Sequence, residues 1–158
     1  MFLGDFSAQL LRQTRPTRLH LIDPWKQESY HAGDSLVSHR QGQPFGDALH
    51  DHVRRRFAAE IERGTVVVHR SPSAEVAGAL ESLDWVYIDG KHTYQNVKED
   101  LTGYYALVKP GGIIAGDDYA ALGHWWGDGV REAVDEFVRS HGCEVTIIDH
   151  QFIITKPA

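Results

Sequence analysis

The chain has 158 residues, of which 42% are hydrophobic and 24% charged, enough apolar material for one domain with a buried core and not the composition of a disordered chain. Sixteen basic against 22 acidic residues leave a formal net charge of −6, which argues against non-specific attachment to nucleic acid or to an anionic membrane. A single cysteine, Cys143, excludes a disulfide framework within the chain and suits a reducing, cytoplasmic compartment. No apolar run approaches the roughly 18 residues of a membrane span, and Asp5, Gln9 and Arg12 interrupt any signal-peptide core.

In chain order, a short helical stretch carrying Leu10 and Leu11 follows Gly4. Arg18 to Ile22 reads as a strand closed by Asp23-Pro24. Residues 24–47 have no clear period and contain Pro24, Gly33, Gly42, Pro44 and Gly46, the pattern of a functional lid or of a partly disordered segment. Asp47 is a fair N-cap for a helix in which Leu49, Val53, Phe57 and Ile61 recur every four residues, with Gly64 just past its end. Thr65 to His69 is a β-branched strand, and Ser71-Pro72 opens a helix presenting Val76 and Leu80.

Trp85 to Ile88 is the next strand, closed by Asp89-Gly90. A helix over Tyr94 to Leu107 carries Val97, Leu101 and Tyr104 on the stripe that Val108 continues, and stops at Lys109-Pro110-Gly111-Gly112. Gly112 to Ala115 is a buried strand ending in Gly116-Asp117-Asp118. Asp128 caps a helix with Val130, Val134, Phe137 and Val138, ended by Gly142. Glu144 to Ile148 and Gln151 to Thr155, flanking Asp149-His150, form an antiparallel hairpin. Alternating strands and helices predict an α/β, doubly wound, mostly parallel sheet with this hairpin at its C-terminal edge.

In such sheets ligands bind beyond the carboxyl ends of the strands. Asp23, at one such end, could accept two hydrogen bonds from a ribose diol or could simply form a turn before Pro24. Asp89 and Asp117 are 28 residues apart, one strand–helix–strand unit. On neighbouring strands they would share a crevice with Asp118, and three carboxylates there repel unless a cation or protons compensate. Oxygen ligation favours Mg²⁺, Ca²⁺ or Mn²⁺ over zinc, although the acids could also be turn caps and solvated groups. His92, three residues past Asp89, could act as a base or a ligand, or be one more exposed loop histidine. The ten histidines contain no HExxH, and the His50 and His52 spacing does not share a helix face. His124-Trp125-Trp126 offers a stacking surface or a hydrophobic plug.

The block from Leu83 to Tyr119, LDWVYIDGKHTYQNVKEDLTGYYALVKPGGIIAGDDY, resembles the second half of class I S-adenosylmethionine-dependent methyltransferases. It is most similar to the small-molecule O-methyltransferase group, with its D-G-x-H-x-Y … D-L … P-G-G … D-D-Y pattern. Leu19 to Asp23 resembles that family's second strand with its ribose-binding acid. Phe2 to Ser7, FLGDFS, resembles the tail of its glycine-rich motif.

The resemblance implies a cofactor, S-adenosylmethionine, with its ribose on Asp23 and its adenine near Arg70 and Ser71. Phe2, Gly4 and Asp89 would complete the cofactor contacts. In metal-dependent relatives, acids at the positions of Asp89, Asp117 and Asp118 bind Mg²⁺. His92 is then the first choice for removing a proton from a hydroxylated small-molecule acceptor, and Lys91 the second.

The family motif reads Glu-x-Gly-x-x-x-Gly-x-x-Ser/Thr. Aligning Gly4 with its last glycine places the acid and the first glycine before residue 1. The expectation is therefore one methyltransferase-like domain over 1–158, N-terminally truncated, with its first strand missing and the sheet open between its second and fourth strands. Exposed edges there would favour self-association into a homo-oligomer. Two alternatives remain open: a non-catalytic domain impaired by that loss, and a nicotinamide-dependent oxidoreductase. The second is weakened by the incomplete GxGxxG and the unused Asp-Asp-Tyr.

Overall fold

The computed structural model describes residues 3–26, 43–119 and 127–158. The predicted lid therefore lies largely outside the described residues, as do Phe2 and the His124-Trp125-Trp126 loop. The chain divides into two compact units, Met1–Val76 and Ala77–Ala158.

The first unit holds α1 (Asp5–Thr14), β1 (Leu19–Ile22), α2 (Gln43–Arg56), α3 (Ala58–Glu62), β2 (Val66–His69) and the start of α4 (Ser73–Ala77). β1 and β2 pair in parallel, Leu19 opposite Val66 and Ile22 opposite His69. One face of this ribbon buries Leu19, Leu21 and Val66; Val53 and Phe57 are buried in the same unit. The single helix expected from Asp47 onward begins earlier, at Gln43, and breaks at Phe57, whose φ of −103° and ψ of 20° are not helical. The four-residue apolar spacing survives that break because Ile61 still bonds back to the Phe57 carbonyl at 2.8 Å.

The opposite face of the ribbon is half-buried and carries His20 and His69, whose Nδ1 and Nε2 lie 2.8 Å apart. One shared proton satisfies that contact; a full charge on both rings does not. Burial holds His20 below its ordinary pKa, with His69 and Arg18 adding to the effect, and burial also lowers His69. Groups with depressed folded-state values leave the unfolded chain binding more protons at acid pH. The fold is expected to lose stability as pH drops below the ordinary histidine value of about 6.5. Urea melts between pH 7.5 and 5 check this, and a His20→Gln, His69→Gln double variant should flatten the dependence. An unchanged slope in that variant would assign the acid loss to other groups.

The second unit contains β3 (Leu83–Ile88), α5 (Tyr94–Leu107), β4 (Val108–Gly116), α6 (Gly129–His141), β5 (Val145–Ile148) and β6 (Gln151–Thr155). Its mixed sheet has the order β3-β4-β6-β5. β3 and β4 run parallel, and the predicted hairpin returns β6 antiparallel against β4. Ile88, Ile114, Phe152 and Ile154 of the sheet form one core with Val97 and Leu101 of α5 and Val130, Val134 and Phe137 of α6. Each of the completely buried aliphatics contributes about 1.5–3 kcal/mol through removal from water.

The Pro110-Gly111-Gly112 sequence, expected to separate helix from strand, instead lies inside β4. Lys156 pairs with Gly111 and Gly112 through two 2.9 Å backbone bonds, and a Cβ on Gly112 would stand 2.7 Å from the Asp84 carbonyl. Glycine there serves close backbone approach rather than termination. The described strands fall into two sheets, β1-β2 and β3-β4-β6-β5.

Candidate active site at the strand ends

Ile88 pairs with Gly116, so β3 and β4 finish at the same level and release Asp89 and Asp117 side by side. The Asp117 amide donates to the Ile88 carbonyl at 3.1 Å, which carries the pairing one residue past the strand. The chain then turns sharply: Asp118 has φ 64°, in the left-handed region that costs an ordinary residue strain. Its amide donates to Asp117 Oδ1 at 3.0 Å. That bond turns one Asp117 oxygen back onto the chain, and the turn sends the Asp118 carboxylate toward His92. His92 Nε2 and Asp118 Oδ2 are 2.7 Å apart.

His92 is held by the start of α5, where Thr93 occupies the N-cap and its Oγ1 accepts from the Asn96 amide at 3.4 Å. The first residue of α6 backs this turn. A Cβ on Gly129 would lie 2.6 Å from both the His92 carbonyl oxygen and the Tyr94 nitrogen.

One ligand atom each from Asp89, His92 and Asp118 falls within 4.8 Å of the other two. The gathered trio is thus two of the three expected carboxylates plus the histidine; Asp117 stands beside it. A small cavity of about 10 Å³ is lined by Asp89, Lys91, His92, Asp117 and Asp118 over Val130 and Phe152. That is room for about one water or one ion, not for an organic molecule.

Electrostatics point the same way. Burial raises the Asp118 carboxyl, opposed by His92 and reinforced by Asp117 and Asp89. Tyr87, on β3 two residues before Asp89, is pushed well above its usual value by burial, then by Asp117, Asp89 and Asp118. Gln151 Nε2 donates to its hydroxyl oxygen at 2.8 Å. Negative charge is therefore concentrated at one point, which a cation would relieve. Sequence reasoning missed Tyr87, although the two-residue period of a strand places it on the face of Asp89.

In the first unit, Asp23 follows β1, its amide bonding the His69 carbonyl at 3.1 Å and its Oδ1 accepting from the Trp25 amide at 2.6 Å. Gly4 has φ 76° and caps α1; a Cβ there would meet the Phe57 ring at 2.9 Å. Arg70 donates to the Asp47 carboxylate, which ties it to α2, and Ser71 follows half-buried. A larger cavity of about 310 Å³, bordered by His50, Arg54, Ile61 and Val66 to Val68, includes none of the residues expected to bind the cofactor. It is no guide to the chemistry, because no strand-end acid reaches it.

Residues 5–119, more than half of the chain, match the model of a family described as a methyltransferase domain. The chain belongs to this family. Among solved structures it is similar to the O-methyltransferase NovP, with a TM-score of 0.64 and 20% identity over 94% of this chain and 64% of that one. It is also similar to an O-methyltransferase from Bacillus cereus in complex with SAH, with a TM-score of 0.60 and 14% identity over 89% of this chain and 63% of the other. At these identities the likeness speaks for the fold, that of the class I S-adenosylmethionine-dependent methyltransferases the sequence resembles. An uncharacterized protein of Acanthamoeba polyphaga mimivirus is 41% identical over 56 residues, 35% of this chain and 24% of its own length. The methyltransferase-domain chain thus spans about a quarter of that curated relative. Among the described residues no helix is long and apolar enough to cross a membrane.

Proposed function

We propose that this methyltransferase-domain protein transfers a methyl group from S-adenosylmethionine to a hydroxyl of a small molecule, assisted by a divalent cation held by Asp89, His92 and Asp118. The observation that carries the reading is the convergence of those three side chains beside an ion-sized cavity. Two carboxylates and one imidazole suit Mn²⁺ completed by water and substrate oxygens, and suit Mg²⁺ less well than the three carboxylates of the sequence would. When bound, such a cation supplies Lewis acidity that lowers the acceptor's pKa.

The sulfonium methyl is already activated, so the protein's task is alignment. The acceptor oxygen supplies the electron pair of the new O–CH₃ bond. The S–CH₃ pair leaves with sulfur as a neutral thioether, and the hydroxyl proton must go to a base. With His92 in the donor set, Lys91 on the same cavity wall would take it, a role that requires the bound cation to keep its amine neutral. The 2.7 Å contact between His92 and Asp118 favours a second, metal-free reading, in which Asp118 orients His92 as the base. Asp23, Arg70, Ser71 and Gly4 are read as the cofactor-binding set. A cytoplasmic location belongs to the same reading, in keeping with a single free cysteine, Cys143.

Calorimetric titration with S-adenosylhomocysteine (SAH), alone, with Mn²⁺ and with EDTA, tests this. Binding of SAH together with one equivalent of Mn²⁺ supports the cation-assisted reading. SAH binding with no saturable Mn²⁺ binding selects the metal-free one, and no SAH binding defeats both.

A further inference from the structure

Trp25, close to the predicted ribose contact, is buried, only 4% exposed. It sits two positions beyond Asp23 with φ 43°, a conformation a bulky side chain adopts only under constraint. Its amide is fixed by Asp23 Oδ1 at 2.6 Å, and Pro24 between them removes a further backbone freedom. Its ring meets His50 edge-on, with centroids 4.9 Å apart at 63°. Yet the indole Nε1 is buried and has no hydrogen-bond acceptor among the described residues. Buried donors are nearly always paired, and an unpaired one is costly. Were the ring only apolar filling, phenylalanine would serve without that cost.

We propose that the Trp25 indole N–H is a hydrogen-bond donor to the nucleoside of the cofactor, accepted by a ribose hydroxyl oxygen or a ring nitrogen of the base. This rests on the reading of Asp23 as the ribose-binding acid. The Asp23-Pro24-Trp25 turn then presents a carboxylate acceptor and an indole donor from one rigid unit. A vicinal diol, whose hydroxyls both donate and accept, matches such a pair. Trp25 is thus a binding residue, filled by ligand at a position that is unsatisfied without it.

The test replaces Trp25 by Phe, which keeps an aromatic ring and removes the donor, and titrates wild type and variant with SAH and with adenosine. The expected result is about a tenfold weaker Kd for both ligands in Trp25→Phe. An equal loss for both places the contact on the shared nucleoside. A variant that binds both within twofold of wild type overturns the proposal, and so does a loss confined to SAH, which would put the contact on the homocysteine arm. If Trp25→Phe melts much earlier than wild type, 3-benzothienylalanine at position 25, the same shape with sulfur in place of N–H, carries the same two outcomes. Failure of the wild type to bind either ligand removes the cofactor reading itself, and this inference with it.

Discussion

Replacing Asp118 by Asn is expected to weaken Mn²⁺ binding by about 100-fold while leaving SAH affinity within twofold of wild type. The size follows from removing one of the two carboxylates proposed to ligate, more than the roughly 10–100-fold cost of disturbing an outer-shell partner. Asn is the informative replacement because of the backbone. Asp118 lies at φ 64°, and Asn tolerates the left-handed region as readily as Asp does. The variant keeps the turn and the shape and loses the charge. Burial, with Asp117 and Asp89, outweighs the attraction of His92 and disfavours the ionised Asp118 carboxylate, so the uncharged variant without metal should be no less stable.

Asp117→Asn provides the contrast. One Asp117 oxygen is engaged by the Asp118 amide, so its loss should cost Mn²⁺ affinity only a few-fold. Electron paramagnetic resonance of free Mn²⁺ measures both variants. Equal losses in the two would remove the geometric distinction between these acids, and unchanged binding in Asp118→Asn would remove the cation site.

That contrast marks where the sequence stopped being legible. The level of the acids followed from reading the strands: apolar runs closed by Asp89 and by Asp117-Asp118, which the pairing of Ile88 with Gly116 brings together. Which two acids converge with a histidine was not readable. It depends on a left-handed Asp118, and nothing in Gly-Asp-Asp-Tyr distinguishes an Asp that turns outward from one that caps its neighbour. His92 was placed in the right loop by its distance from Asp89, but its partner is set by Gly129, far along the chain, whose missing Cβ admits α6 against the 92–94 turn.

In the fold, helix α5 and the hairpin were legible because their apolar period and turn residues agree. The strand through Lys109 to Gly112 was not, since Pro-Gly-Gly has the composition of a loop and becomes a strand only by pairing with Lys156. Trp25 and the His20–His69 pair are products of burial and cross-strand register, which a linear pattern does not encode.

Gly116→Ala should be the most damaging small substitution in the second unit. Gly116 is buried at the end of β4, and its added methyl would collide with the Phe152 ring and stand 2.5 Å from the Ile88 carbonyl oxygen. A ring can tilt, whereas the carbonyl belongs to the strand pair that sets the level of Asp89 and Asp117. Overpacking of this kind costs about 3 kcal/mol or more. For a chain of this size that corresponds to a fall in Tm of roughly 6–12 °C. The two contacts separate in a double variant. Phe152→Leu combined with Gly116→Ala relieves the ring and leaves the carbonyl, so it should recover little. Thermal melting of the three variants decides: if the double variant melts near the Phe152→Leu single variant, the ring alone was the obstacle. If Gly116→Ala melts like wild type, the strands have room to part, and the registration of the acids is looser than the pairing implies.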